Sequence, residues 1–197
     1  VSVTASNYGG NLRRALSQKR LSAAALSDFN HPANPDKLVT WVESHDTYAN
    51  QGESAKMTHF QLRAGWAIIT ARQYGTPLFF SRPQGPEATQ FPGVSQIGDK
   101  GNDEFMHPEV VAVNKFRNAM IGLDEKLANG STYETLIIER GNKGVVIVNI
   151  KEGSENINHK VSLADGEYID HANGIKFKVK DGILTGKIKA KKIAVIY

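Results

Sequence analysis

The stretch KLVTWVESHDTYAN, Lys37 to Asn50, passes from a short apolar run directly into a glutamate, a serine and a His-Asp pair. Leu38, Val39, Thr40, Trp41 and Val42 place apolar or β-branched side chains on both faces of a pleat. That is the pattern of a parallel strand covered on both sides. Glu43, Ser44, His45 and Asp46 then fall at its carboxyl end, where a parallel α/β barrel gathers its active-site residues. Taken alone, the pair has plainer readings: Asp46 as a turn cap and His45 as a buried, satisfied histidine. One histidine beside carboxylates, with no obvious third or fourth ligand, does not define a metal shell. No metal site is expected here.

Working outward, the sequence alternates strands with helices. Val1 to Ala5 reads as the tail of a strand, and Gly10 to Ser17 as a helix. Thr58 and Gln61 have the spacing of a capping box, in which each side chain satisfies a free amide at a helix start. Leu62, Trp66 and Ile69 share one face of the helix that follows. Gly75 suits a left-handed stop and Pro77 blocks continuation. Pro77 to Ser81, PLFFS, is a second short strand apolar on both faces. A long glycine- and proline-rich connection follows from Arg82 to Phe105; ordered connections of this length are often functional. Pro108 then fits the first turn of a helix continuing through Val113, Phe116 and Met120. Such alternation predicts a parallel sheet with helices packed outside it.

The style changes near Gly122, and a domain boundary is expected there, between residues 1–122 and 123–197. YETLIIER and GVVIVNI flank a turn-rich GNKG and predict a hairpin. IKFKVK and ILTGKIK, joined by Asp181-Gly182, predict another, and Ile193 to Tyr197 forms a final strand. The tail therefore reads as an antiparallel β-sandwich.

Composition narrows the function classes. The 197 residues are 40% hydrophobic and contain no cysteine, which excludes disulfides and thiolate metal sites. No apolar run is long enough to cross a bilayer, and the first residues lack the pattern of an export signal. The net charge of +4 owes much to the lysines of KFKVKDGILTGKIKAKK, Lys176 to Lys192. A basic stripe can serve nucleic acid or an anionic surface. Because Lys176, Lys178 and Lys180 alternate with Phe177 and Val179, a strand with one wet face is the preferred reading. Neither a nucleic-acid nor a membrane partner is expected.

The order LVTWVESHDTYAN, helix, GTPLFFSRPQG, then FPGVSQIGDKG resembles the later barrel strands and loops of the α-amylase superfamily of glycoside hydrolases. The likeness is to the secreted, saccharifying α-amylases of Gram-positive bacteria. It spans essentially the whole chain, since VTASNYGGNLRRAL resembles their sixth strand and helix and the tail their C-terminal domain. The resemblance implies the last three strand-helix units of a TIM-type barrel followed by a β-sandwich. It implies an endo-acting, retaining hydrolase of α-1,4 bonds in starch and malto-oligosaccharides. Asp46 matches the aspartate that holds the ring hydroxyls of the cleaved glucose and stabilises the transition state, and His45 the histidine bonding the same hydroxyls. Tyr48 and Asn50 are candidates for the wall of the substrate groove, and Arg82 for a structural ion pair.

Retaining glycosidases need a nucleophile and an acid/base, and no carboxylate here has the family's context for either. The calcium ligands of the family also lie outside these residues, so no cofactor is expected in this chain. A complete barrel takes about 250 residues. The chain alone is therefore expected to be inactive and to require the preceding part of the barrel or a complementing chain. A non-catalytic glucan-binding or assembly fragment is the alternative from another class, and another specificity within the superfamily is a third. Secretion is implied by the family alone.

Overall fold

The computed structural model describes residues 1–50, 53–84 and 98–197. Three short strands, β1 (Val3–Thr4), β2 (Leu38–Trp41) and β3 (Thr76–Leu78), form a parallel sheet in the order β1-β2-β3. Helix α1 (Ser6–Ser17) and the short α2 (Ala23–Ser27) follow β1, α3 (His59–Ala71) follows β2, and α4 (Pro108–Ala119) follows β3. The predicted alternation is present.

Helix α1 begins four residues before the expected Gly10, because Gly9 is a contact rather than a breaker. A Cβ on Gly9 would lie 2.7 Å from the carbonyl oxygen of Trp41, so its absence lets α1 rest directly on β2. Gly65 of α3 does the same against Val42. At the start of α3 the capping box is closed: Thr58 Oγ1 accepts from the Gln61 amide at 3.2 Å, and Gln61 Oε1 accepts from the Thr58 amide at 2.9 Å. The stop is not Gly75. Helix α3 ends on Arg72, whose backbone is extended, while Gly75 takes its left-handed φ of 83° in the following loop, pressed on Thr40.

Coverage of the sheet is one-sided among the described residues. Leu38, Thr40 and Val42 are buried toward the helices, but Val39 and Trp41 are only half-buried and Leu78 is 60% exposed. The expectation that both faces of β2 and β3 are covered fails on this second face, where no described element lies. The second strand is also shorter than PLFFS, since pairing with β2 ends at Leu78. Of the long connection from Arg82 to Phe105, residues 85–97 lie outside the described set. Its two ends are pinned by pairing of Pro83 with Gly101.

The remaining strands are β4 (Glu125–Asn129), β5 (Thr135–Arg140), β6 (Gly144–Asn149), β7 (Glu155–Lys160), β8 (Gly166–Ile169), β9 (Lys176–Lys180), β10 (Ile183–Ile188) and β11 (Lys192–Ile196). They form two antiparallel sheets, β11-β6-β5-β4 and β7-β10-β9-β8. In the first, β5, β6 and β11 are buried on both faces, and β4 is a partly exposed edge. Leu136, Ile138, Val146, Val148, Ile193 and Val195 meet α3 and α4, while Ile137, Val145, Ile147, Ala194 and Ile196 meet the second sheet. This is why β5 and β6 read as continuous apolar runs although they are antiparallel. The β9–β10 turn is built as expected: Asp181 and Gly182 both have positive φ, 51° and 73°, which matches the twist of the flanking strands. Arg140 of β5 fastens the helical layer to the sandwich, donating to the carbonyls of Ala71, Met120 and Leu123.

Candidate active site

The chain leaves β2 at Trp41 and must turn sharply, and the residues just beyond the strand are shaped for that. Ser44 and Thr47 cap each other: Thr47 Oγ1 accepts from the Ser44 amide at 3.0 Å, and Ser44 Oγ accepts from the Thr47 amide at 3.3 Å. A π-helical turn, Asp46–Asn50, then carries the chain on. Ser54 returns to close it, its amide donating to the Thr47 carbonyl at 2.9 Å and its hydroxyl to Thr47 Oγ1 at 3.1 Å. With Thr47, Ser54 and Tyr48 buried, the dipeptide between the capping residues is forced outward. His45 and Asp46 are the exposed pair, their side chains 75% and 54% accessible, with Nε2 and Oδ1 3.4 Å apart.

Beneath the turn lies a buried ion pair. Arg82, just past β3, donates through Nε to Glu43 Oε1 at 2.8 Å and through Nη2 to Glu43 Oε2 at 2.7 Å. Its Nη2 also reaches the Ser54 carbonyl at 2.7 Å. The two side chains are 2% and 3% exposed, so the charges compensate each other away from water. Arg82 is thus the structural ion-pair partner that its position predicted. Its guanidinium lies over the ring of Tyr48, 4.9 Å from the centroid. Tyr48 is 1% exposed and therefore underpins the turn instead of walling a groove. Burial pushes its phenol above the ordinary value, and Arg82 partly offsets this. The side chain of Asn50 lies outside the described residues.

On the other flank, Arg13 of α1 donates to the Val42 carbonyl at 2.9 Å and pairs with Glu53 at 2.7 Å. Its guanidinium also covers Trp41, at 5.1 Å from the ring centroid. An open cleft runs between α1 and the turn, lined in part by Asn7, Asn11, Trp41, Ser44 and Asp46. On the uncovered side of the sheet, Trp41, His45, Asp46, Leu78 and Phe80 share a second depression. Asp46 borders both. A carboxylate so placed can accept hydrogen bonds from a polyhydroxylated ligand and stabilise positive charge that develops on it.

Thr47, Ser54 and the identity of Arg82's partner were not read from the sequence. The Ser44-x-x-Thr47 spacing was a usable signal, since hydroxyl residues three apart commonly cap a turn. The pairing of Glu43 with Arg82, placed just after adjacent parallel strands, was a second.

A parallel strand-helix sheet with acidic and imidazole groups at its carboxyl end, joined to an antiparallel sandwich, defines an α/β protein with an α-amylase-like fold. Over its full length the chain superposes on a variant of α-amylase I from Eisenia fetida solved with maltohexaose, with a TM-score of 0.76 over 49% of that chain. At 19% identity this likeness establishes the fold. No protein-family model matches the chain. The chain is 43% identical over 211 residues to an α-amylase of Butyrivibrio fibrisolvens, covering 98% of itself and 22% of that protein. It is 39% identical over 200 residues to an α-amylase of Clostridium acetobutylicum, covering 100% and 24%. The chain belongs with the α-amylases, as a portion of one, and spans less than a quarter of the length of these relatives.

Proposed function

We propose that this chain is the C-terminal portion of an endo-acting α-amylase that hydrolyses α-1,4-glucosidic bonds in starch with retention. In this reading it supplies Asp46 and His45 to a cleavage site whose nucleophile and acid/base reside elsewhere in the protein. The observation that carries the reading is the forced exposure of His45 and Asp46 at the carboxyl end of the central strand β2, on a turn locked by Ser44, Thr47, Ser54 and the Arg82–Glu43 pair. Residues 1–122 are then the last three strand-helix units of a TIM-type barrel, and residues 123–197 its C-terminal sandwich. The half-open face with Val39, Trp41 and Leu78 faces the barrel interior, and β1 and β3 pair with barrel strands outside this chain.

Glucoside cleavage passes through an oxocarbenium-like state, in which positive charge grows at the anomeric centre. A carboxylate fixed close to that centre gains more interaction there than with the neutral substrate, which is the condition for catalysis. Asp46 acts in this way while also accepting hydrogen bonds from ring hydroxyls, and His45 binds the same hydroxyls. Near the turn, Glu43 is held by Arg82 and Glu53 by Arg13. Neither is placed to serve as nucleophile. Asn50 remains a candidate for the groove wall, whereas Tyr48 acts by holding Arg82 and the turn. Malto-oligosaccharide recognition is supported by the maltohexaose complex of the similar fold. Secretion follows from the family resemblance. Among the described residues no cluster of His, Asp or Glu has the make-up of a metal site; in this reading the structural calcium of the family belongs to the rest of the protein.

The test is release of reducing sugar from soluble starch by this chain alone and after mixing with a separately produced N-terminal barrel portion. No release alone and recovered release on mixing is the expected result. Release by the chain alone would show that this chain carries its own nucleophile and acid/base and would overturn the reading.

A further inference from the structure

The strand register puts four lysines of the stretch Lys176–Lys192 on one face and adds Lys160 to them. On the outer face of the sheet β7-β10-β9-β8, Lys160, Ile183 and Lys180 form one row across the strands. Asn158, Thr185, Lys178 and Glu167 form the next. Asn156 pairs with Lys187, and Lys176 with Ile169, in the third. The face therefore carries five lysines against one glutamate, with Asp165 and Asp181 at its turn end, in a chain whose whole net charge is only +4. At strand spacings of about 4.8 Å and a two-residue repeat of about 6.8 Å, it measures roughly 14 Å on a side. All five lysines are exposed. The lysines that do form ion pairs among the described residues are Lys19, Lys100, Lys151 and Lys191, none of them on this face.

We propose that this face is a docking surface for an anionic lipid bilayer. Charge complementarity is the first argument, since lysines on one uninterrupted surface attract an anionic headgroup plane additively. The second is the pair of isoleucines among them. Ile169 is 64% exposed and adjoins Lys176, and Ile183 lies between Lys160 and Lys180. An apolar side chain within a basic patch gains burial at the headgroup–acyl boundary and nothing from a soluble ion. The face has no outward aromatic ring for stacking on bases, the device of single-strand binders. It is also a broad sheet surface rather than a pocket that would enclose a small anion. The expected strand with one wet face is present in β9, where exposed lysines alternate with buried Phe177 and Val179, and the register places this face beside the lysines of β7 and β10.

The experiment is co-sedimentation of the full chain with vesicles of phosphatidylcholine alone or with a third of phosphatidylglycerol, at low and high salt. Binding to the anionic vesicles only, weakened by salt, is expected. Lys178→Gln with Lys187→Gln should weaken it about thirtyfold, from roughly fivefold per lysine, and Ile169→Ser should weaken it further. Thermal melting of each variant controls for folding, to which these exposed side chains contribute little. Equal binding to neutral vesicles, no binding, or indifference to the paired lysine substitutions would overturn the proposal. So would an Ile169→Ser variant that binds normally while inorganic polyphosphate competes fully, a result that assigns the face to a soluble polyanion.

Discussion

Arg82→Met should be the most damaging single change at the turn below the candidate site. Arg82 and Glu43 are 2% and 3% exposed, and Arg82 makes two close bonds to the carboxylate and one to the Ser54 carbonyl. Methionine approximates the volume of the arginine stem but leaves a buried carboxylate without its counter-charge. Breaking a buried pair in this way costs about 3–5 kcal/mol, a large part of the roughly 5–15 kcal/mol that holds an ordinary domain together. Replacing both partners, Arg82→Met with Glu43→Gln, removes the isolated charge and should recover more than about 2 kcal/mol of the loss. Urea unfolding of the wild-type chain, both single variants and the double variant gives the cycle. An Arg82→Met loss below about 1 kcal/mol, or a double variant as damaged as the sum of the singles, would refute the reasoning. It would mean that solvent reaches the pair and that the turn is held by Ser44, Thr47 and Ser54 alone.

Other changes test other levels of the account. Gly9→Ala puts a methyl group 2.7 Å from the Trp41 carbonyl and must push α1 off β2, so a loss of about 1–3 kcal/mol is expected in the same unfolding assay. Thr40 buries a hydroxyl with no hydrogen-bond partner among the described residues, and Thr40→Val, its near-isostere, should leave stability unchanged or raise it by about 1 kcal/mol; a clear loss would reveal a partner for Oγ1. His107 and His159 are both held below the ordinary histidine value of 6.5, chiefly by burial, so the folded form prefers them neutral. On acidification the unfolded chain takes up their protons first, and stability should be intact above about pH 6.5 and decline below it. His107 Nδ1 also accepts from the Glu109 amide at the start of α4. His107→Asn, which keeps a capping acceptor, should therefore reduce the difference between unfolding midpoints at pH 7.5 and 5.5; an unchanged difference would place the effect elsewhere.

Local signals made much of the fold readable. The Thr58–Gln61 box, Pro108 at a helix start and Asp181-Gly182 in a hairpin each act over a few residues, and each is built as its chemistry predicts. Failures came where a distant contact reassigns a residue. The helix was expected to begin at Gly10, and its start at Ser6 goes with the contact of Gly9 on Trp41, 32 positions on. Gly75 suits a helix stop, but Arg72 ends α3 first and turns its guanidinium to Glu125 and the carbonyls of Leu26 and Ser27. The site divides in the same way. The position of His45 and Asp46 just beyond β2 was legible because a strand end fixes where they lie. The burial of Tyr48 was not, because it depends on an arginine 34 residues away. Most of the basic sheet face was legible as the stretch Lys176–Lys192, whereas the place of Lys160 and Ile169 on it needed the strand register.

The proposed activity depends on Asp46 acting on a glucan in a site completed by the rest of the barrel. Turnover of soluble starch by the complete enzyme carrying Asp46→Asn, with its melting temperature measured alongside, tests this directly. Removing an electrostatic stabiliser of the transition state costs about a hundred- to a thousandfold in kcat, so a fall of that size with an unchanged melting temperature is predicted. Near-normal turnover would contradict the account.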